Sequence, residues 1–259
     1  MKTLSLVFAV CCSLSTVVPT AAGSAPGFSA GELRDSWTWV REDPESWRLR
    51  DGGLELRAQK GRIWAGSGAT NVLLAKGSPS GRSASVLVSH DTPKTKYEQG
   101  GLLVYRDDDN FVKLINEFID GEYYVVLASE LGGKGKVFSK IKTGAKSVRL
   151  RLGVDRDEVT AHYSIGDRAP RPAGHCKLPG AGEARFGLFT QDGSDEEVRW
   201  IRFDEPELTS LAGGPFDTRQ LTEQFHAEGA AFADLNKDGH NDIIYGPFWF
   251  EGPEFEKRN

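Results

Sequence analysis

The strongest constraint on the fold is a period-two alternation of apolar and polar residues between Trp37 and Leu208. The alternation comes in short runs separated by Gly, Asp, Asn and Pro, and the region shows no convincing helical stripe. Many such runs at regular spacing predict an antiparallel β-sandwich or barrel. The predicted strands are Trp47–Leu49, Leu54–Ala58, Asn71–Leu74, Ala84–Ser89, Gly101–Tyr105, Phe111–Phe118, Glu122–Ser129, Lys136–Ile141, Ser147–Gly153, Glu158–Ser164, Ala184–Thr190 and Val198–Asp204. The sequence therefore predicts an all-β fold.

One hairpin can be assigned residue by residue. Asp120-Gly121 is a two-residue turn signal, and it pairs Leu114 with Leu127 on the face that we expect to pack in the core. The same alternation, extended into the preceding strand, places five side chains together on the other face: Gln99, Tyr105, Lys113, Glu117 and Tyr124. Aromatic, amide and charged groups in this mixture suit a sugar ligand. They equally suit a half-buried face whose polar groups satisfy one another, and the sequence alone favours this second interpretation.

A second candidate site is the loop Asp234–Asp242, in which oxygen-bearing side chains fall at the first, third, fifth and ninth places around Gly239. Ca²⁺ takes about six to eight oxygen ligands, so this spacing predicts a calcium site. The predicted ligands are the side chains of Asp234, Asn236, Asp238 and Asp242 and the backbone carbonyl of His240. Tyr245 stands where an EF-hand has its glutamate, so we expect a strand–loop–strand site. The alternative is a solvated acidic turn without metal, because Asp, Asn and Gly also form turns.

Residues 1–22 have the pattern of a signal peptide. Lys2 gives a positive start, Leu4–Val18 is apolar, and small residues follow. The apolar run is shorter than the roughly 20 residues that a spanning helix needs, and no later segment approaches that length. We therefore expect an exported chain, secreted, periplasmic or on the cell surface, with no membrane insertion.

Cysteine content and charge narrow the prediction further. Signal cleavage would leave Cys176 alone, so we expect no intramolecular disulfide and a fold held by its hydrophobic core. The formal net charge is −5, and there is no basic cluster. This balance argues against nucleic acid and anionic membranes as partners.

The alternating region resembles a concanavalin A-like sandwich family found beside bacterial carbohydrate-active enzymes. It is similar to the C-terminal domain of glycoside hydrolase family 43 β-xylosidases and to the bacterial domain called "regulation of enolase". The segments that carry the resemblance, within residues 33–208, are Trp39–Trp47, Asp51–Leu56, Asn71–Leu74, Tyr97–Tyr105, Asp109–Lys113 and Glu117. The resemblance implies an antiparallel jelly-roll sandwich over residues 30–208. It also implies a domain that accompanies sugar chemistry, usually without catalysing it.

The C-terminal part of the chain is expected to form a separate, incomplete unit. Residues 209–219 are a linker-like run rich in small residues, and residues 220–259 contain the acidic loop. Phe225–Ala233 leads into that loop as in FG-GAP or VCBS-type repeats, the calcium-loop units of integrin-like β-propellers. A propeller has about 4–8 blades, and only about one is present here. The resemblance therefore implies a partial propeller-type repeat, which further blades of a longer relative would complete.

The placement of acidic residues argues against a glycosidase. Laminarinase-like members of the fold use Glu-x-Asp-x-Glu on one strand, whereas the nearest string, Glu117–Glu122, has other spacing and contains the Asp120-Gly121 turn. If the chain is a glycosidase, the candidate pairs are Glu117 with Glu98 or with Asp109, which would have to lie about 5–5.5 Å or about 6.5–9.5 Å apart. None of the five histidines has a metalloprotease or triad context.

The sequence thus predicts an exported, non-catalytic, lectin-like module with a calcium-stabilised loop. Its predicted partner is a polysaccharide or glycoconjugate. Two alternatives remain. One is a glycoside hydrolase or other sugar-processing enzyme of the same fold. The other is a scaffold domain without a ligand of its own.

Overall fold

The computed structural model describes residues 27–66, 68–194, 196–211, 221–222, 230–252 and 255–258. The predicted signal peptide, residues 1–22, and most of the predicted linker lie outside this part. Within it, no helix is long and apolar enough to span a membrane. The chain divides into two compact units, Met1–Leu211 and Ala212–Asn259.

The secondary structure consists almost entirely of strands. One short helix, α1 (Ala30–Ser36), precedes them, and its first turn is capped by the Ser29 side chain. The strands of the first unit are β1 (Trp37–Val40), β2 (Trp47–Arg50), β3 (Gly53–Arg57), β4 (Val72–Ala75), β5 (Arg82–His90), β6 (Gln99–Asp107), β7 (Asn110–Ile119), β8 (Glu122–Leu131), β9 (Lys134–Lys142), β10 (Ser147–Asp155), β11 (Glu158–Ser164), β12 (Arg171–Lys177), β13 (Arg185–Gln191) and β14 (Trp200–Ser210). Single 3₁₀ turns lie at Pro44–Ser46 and Ala181–Glu183. The prediction lacked α1, β1 and β12.

These strands form two antiparallel sheets. In the described part of the chain, the first sheet has the order β1-β4-β13-β6-β7-β8-β9 and the second the order β12-β11-β10-β5-β14-β3-β2. A continuous apolar core lies between them, with Leu114 and Leu127 from the first sheet and Val88 and Ile201 from the second among its buried members. The predicted all-β antiparallel sandwich is confirmed.

The predicted hairpin register is confirmed as well. Leu114 pairs with Leu127, and Glu117 pairs with Tyr124 across β7 and β8. Leu102 packs in the inter-sheet core, whereas Leu103 packs in a second apolar cluster on the other face of the first sheet. We call this other face the outer face; the segment between β3 and β4 packs its Ile63 and Ala69 against it.

The second unit contains β15 (Ala231–Ala233), β16 (Asp242–Tyr245), β17 (Phe248–Glu251) and β18 (Glu256–Arg258). Each strand pairs antiparallel with the next along the chain, so the four form one up-and-down sheet. The acidic loop connects β15 to β16.

Candidate functional site

The outer face of the first sheet carries a pocket of about 310 Å³ over β6, β7 and β8. Its floor contains three buried polar side chains, Gln99, Lys113 and Glu117, among apolar ones such as Ile115 and Val126. Gln99 lies opposite Glu117 in the β6–β7 ladder, and Lys113 and Glu117 share a face of β7 because strand side chains alternate. Three of the five residues predicted for the sugar-binding face therefore meet at one site.

A hydrogen-bonded chain joins these three side chains. Lys113 Nζ donates to Gln99 Oε1 over 2.8 Å, and Gln99 Nε2 donates to Glu117 Oε1 over 2.9 Å. The same Nε2 also donates to the carbonyl of Tyr97 over 2.8 Å. A lysine can only donate and a carbonyl can only accept, so the orientation of the Gln99 amide is fixed from both sides.

Burial sets the charge state of the floor. Only 5% of Lys113 and 9% of Glu117 is exposed. Burial lowers the pKa of Lys113 to about 8, against the opposing effect of the Glu117 carboxylate. Burial also raises the pKa of Glu117, with Lys113 opposing the change. Each group thus stabilises the charged form of the other in a place where water solvates neither well.

Trp64 forms a wall of the pocket, and its ring centre lies 4.6 Å from Lys113 Nζ. The backbone on both sides of Trp64 is held by buried side chains. Ile63 N donates to Gln191 Oε1 over 3.2 Å, and Ala65 N donates to Glu130 Oε2 over 2.8 Å. These two contacts fix the segment that presents the indole.

Gly135 gives the indole its place against β9. A Cβ at this position would lie 2.4 Å from the Cζ2 atom of Trp64, closer than non-bonded atoms approach. Any larger residue would therefore displace the ring. On its other side, Trp64 meets Phe111 edge to face at a centroid distance of 6.5 Å.

Charged and aromatic groups complete the rim. Arg62 lies 3.0 Å from Asp192, and Gln191 Nε2 donates to the same carboxylate over 2.7 Å. Tyr97 and Lys140 also line the pocket. Four residues of the pocket were not predicted from the sequence: Trp64, Arg62, Asp192 and Gln191. They come from loops and strand ends, where period-two alternation does not indicate on which face of the sheet a side chain lies.

The other two predicted residues, Tyr105 and Tyr124, do not line the pocket. Tyr105 lies on the outer face, but its hydroxyl donates to Asp108, which Arg41 also holds. Burial and Asp108 raise the pKa of Tyr105 to about 12. Tyr124 lies beside Glu117 in the ladder, with Lys140 Nζ 4.5 Å from its ring centre.

The acids predicted as candidate catalytic pairs lie apart in the structure. Glu98 precedes Gln99 and faces the opposite side of the sheet, where its carboxylate lies 3.9 Å from the buried His90. Asp109 lies in the β6–β7 turn, eight positions and about 26 Å along the strand from Glu117. Neither acid can pair with Glu117 across one sugar, so both pairings were wrong. The carboxylates that do share the pocket are Glu117 and Asp192.

The acidic loop is held by its own side chains. The buried Asp242 carboxylate accepts from Leu235 N over 2.8 Å and from Gly252 N over 3.0 Å. Asp234 and Asn236 both accept from the backbone N–H of Asp238, each over 3.1 Å, so their oxygens lie close together. Among the residues that the structure describes, no three His, Cys, Asp or Glu side chains form a metal-binding group. The oxygen donors suit a hard cation, and the loop can also be closed by hydrogen bonds alone.

Known structures share this fold. A glycoside hydrolase family 43 protein of Bacillus licheniformis superposes with a TM-score of 0.61 at 19% identity, covering 68% of this chain and 37% of that one. A xylan β-1,4-xylosidase of Bacillus halodurans superposes with a TM-score of 0.58 at 17% identity, covering 68% of this chain and 37% of that one. A functionally unknown protein of Saccharomyces cerevisiae superposes with a TM-score of 0.55 at 21% identity, covering 69% of this chain and 97% of that one.

These identities establish the fold alone, and the chain aligns with 37% of the length of the two Bacillus proteins. A search of curated protein sequences found no match. The family model described as the β-xylosidase C-terminal concanavalin A-like domain matches residues 26–209, which is most of the chain. With the two-sheet sandwich, this match confirms the predicted concanavalin A-like fold. The chain belongs to the family of β-xylosidase C-terminal concanavalin A-like domains.

Proposed function

We propose that this chain is a non-catalytic carbohydrate-binding module whose site is the pocket over Gln99, Lys113 and Glu117. The observation that carries the proposal is the buried Lys113–Gln99–Glu117 chain beneath a wall formed by Trp64. These three polar side chains are buried and yet line a pocket, so a ligand can reach them. Each of them costs desolvation free energy that a ligand can help to offset.

The pocket offers what a sugar needs. Sugar hydroxyls both donate and accept, and the floor presents an ammonium donor beside a carboxylate acceptor. Lys113 has three N–H groups, and within the described residues Gln99 is its one hydrogen-bond acceptor. The indole supplies an apolar surface for the C–H side of a sugar ring. A volume of about 310 Å³ lies at the lower end for small-molecule sites, so the pocket suits one or two sugar units.

The charges in the pocket favour a neutral sugar. Arg62 is paired with Asp192, and Lys113 is linked through Gln99 to Glu117. An ionic ligand would have to break one of these arrangements. A polysaccharide or glycoconjugate with uncharged hydroxyls would add hydrogen bonds to them.

Glycan binding by the full chain tests this function. An array of neutral glycans identifies a ligand, and calorimetry with that ligand compares the wild type with Gln99→Ala and Trp64→Leu. We expect both variants to bind several-fold more weakly. Lys60→Gln, which alters an exposed lysine outside the pocket, is the control. Absence of binding to any glycan would favour the scaffold function instead.

A glycoside hydrolase is the second candidate, and one observation favours it. Glu117 has a raised pKa, as a general acid requires, and Asp192 lines the same pocket. Release of reducing sugar from an oligosaccharide, lost in both Glu117→Gln and Asp192→Asn, would establish this function. Binding without release in the wild type would support the module.

We also propose that Ca²⁺ binds the Asp234–Asp242 loop, with Asn236, Asp238 and the His240 carbonyl as further ligands. The oxygen spacing and the closeness of the Asp234 and Asn236 oxygens support this. Calcium titration by calorimetry should show uptake that Asp238→Ala abolishes. Equal uptake by wild type and variant would contradict the assignment.

The second unit is proposed to be a propeller-type repeat of the FG-GAP or VCBS kind, completed by further blades of a longer relative. Its support is the up-and-down order of β15 to β18, which is the arrangement of one propeller blade. Export and the relationship to the "regulation of enolase" domain remain predictions from the sequence. Cleavage after residue 22 on expression in a secreting host would test export.

A further inference from the structure

Another recess of the sandwich lies at the side where the two sheets end. Here β9, the last strand of the first sheet, and β12, the last strand of the second, come together, and Ser139 Oγ donates to the Ala173 carbonyl. The recess has a volume of about 750 Å³, more than twice that of the pocket. We call it the edge cleft and define it by Lys134, Lys136 and Phe138 of β9 together with His175 and Lys177 of β12.

The edge cleft is basic although the chain is acidic, so the expectation that the chain has no basic cluster was wrong. Strand β9 reads KGKVFSKIK, with four lysines and no acid, in a chain of net charge −5. Three ammonium groups line the cleft against one carboxylate, Glu158, and Lys177 holds that carboxylate at 2.9 Å. In the described residues, neither Lys134 nor Lys136 has a carboxylate within ion-pair distance.

The cleft also presents apolar surface. Phe138, which lines the cleft, is 37% exposed. The β8–β9 ladder shifts register between Leu127 and Ala128, where the β9 partners pass from Ser139 to Val137, so Phe138 is the extra residue of a bulge. Lys136 Nζ lies 4.9 Å from the Phe138 ring centre. An unpaired cation and an exposed ring therefore stand side by side at the mouth of the cleft.

Protection of a sheet edge explains only part of this arrangement. Lysines on an edge strand discourage pairing with other chains, and Lys134 and Lys136 would serve that purpose. The exposed Phe138 ring works against it, because an apolar side chain on an open edge promotes association. The combination fits a binding surface better than a protected edge.

We propose that the edge cleft binds an acidic polysaccharide, through carboxylates of uronic acid units on Lys134 and Lys136 and a sugar ring against Phe138. Three cations are too few for nucleic acid binders, whose affinity rests on many phosphate contacts. A membrane-binding patch needs roughly four to eight basic residues on a face that can meet a bilayer, and this one is recessed. A uronate chain requires only spaced charges and an apolar contact.

The cleft and the pocket would then take different ligands. Lys140 of the same strand lies on the pocket side, whereas Lys134 and Lys136 line the cleft. The cleft holds uncompensated positive charge and the pocket holds paired charges. Binding of a neutral glycan in the pocket should therefore be independent of the cleft lysines.

Affinity electrophoresis of the full chain in gels containing polygalacturonate tests the proposal, with neutral xylan as the comparison polymer. We expect retardation by polygalacturonate that high salt abolishes, since screening weakens exposed charge contacts. The double variant Lys134→Gln/Lys136→Gln should bind about three- to tenfold more weakly. Phe138→Ala should weaken binding without changing its salt dependence. The matched control, Lys60→Gln/Lys146→Gln, removes two exposed lysines outside the cleft and should bind as the wild type does.

Three results would overturn the proposal. The first is no retardation by polygalacturonate. The second is an equal loss in both double variants, which would mean that net charge alone acts. The third is equal or tighter cleft-dependent binding of single-stranded DNA or of anionic vesicles, which would assign the cleft to another polyanion.

Discussion

The ammonium of Lys113 lies 4.6 Å from the centre of the Trp64 ring, under a loop that starts beyond β3. Two segments far apart in the sequence thus meet at the buried ammonium of Lys113. Lys113 also donates to Gln99, so the charge is held by a ring on one side and an amide on the other. The position of Trp64 in its loop therefore depends on the charge of Lys113 in the pocket floor.

Gln99→Ala should destabilise the sandwich as well as weaken glycan binding. It removes the amide between Lys113 and Glu117 and leaves two buried groups without their hydrogen bonds, at a cost of about 1–3 kcal/mol each. Urea unfolding followed by circular dichroism measures the change. Wild-type stability in this variant would show that the floor is satisfied without Gln99.

Glu130→Ala should weaken glycan binding although Glu130 does not line the pocket. Its carboxylate accepts from Ala65 N, so its loss frees the backbone next to Trp64. Glu130→Gln keeps an acceptor oxygen and should restore most of the affinity. If Glu130→Gln binds as weakly as Glu130→Ala, the charge matters rather than the position of Trp64.

Gly135→Ala should displace the Trp64 indole and reduce ligand affinity, because the new Cβ would lie 2.4 Å from a ring carbon. Overpacking of this kind typically costs about 1–3 kcal/mol of stability. Gly182→Ala is the matched control, since a Cβ added there would meet no atom within 4 Å. Calorimetry and thermal unfolding of both variants check this prediction. Equal behaviour of the two would contradict it.

The pH dependence of the free energy of unfolding should reflect the lowered pKa of Lys113. Its pKa is about 8 in the folded chain against an ordinary value of 10.5. At low pH the lysine is protonated in both states. As the pH rises through this window, the folded chain loses the proton first, so the unfolded chain binds more protons and this group's contribution to the free energy of unfolding rises.

Lys113→Met lacks this contribution and provides the comparison. Urea unfolding at about pH 7 and about pH 10 should show the wild type gaining stability relative to Lys113→Met at the higher pH. A parallel pH dependence of the two proteins would show that Lys113 titrates normally.

Asp242→Ala should loosen the second unit even without calcium. Asp242 is fully buried, and its two oxygens accept the N–H groups of Leu235 and Gly252. Loss of both bonds should speed hydrogen exchange in β16 and β17. Asp238→Ala, which alters an exposed carboxylate of the same loop, should change exchange much less in calcium-free buffer. Equal exchange in the two variants would contradict a special role for the buried carboxylate.

The sequence determined the sheet and its faces. Because strand side chains alternate with period two, and because the Asp120-Gly121 turn sets the register, the pairing of Glu117 with Tyr124 and the common face of Lys113 and Glu117 followed from local pattern alone. Strand β12 was not predicted because its sequence, RPAGHCK, contains proline and glycine and is half exposed at an edge.

Only the tertiary structure decided which of those residues form a site. Trp64 and Asp192 reach the pocket from chain segments more than a hundred positions apart. They are placed there by Gln191, Glu130 and the gap at Gly135 rather than by any local pattern. Tyr105 does not line the pocket, since its hydroxyl donates to Asp108 instead. Alternation fixes the side of a sheet on which a residue lies, because alternation is a property of the strand itself. Which side chains meet on that side depends on contacts between distant segments. Those contacts form only when the chain has folded.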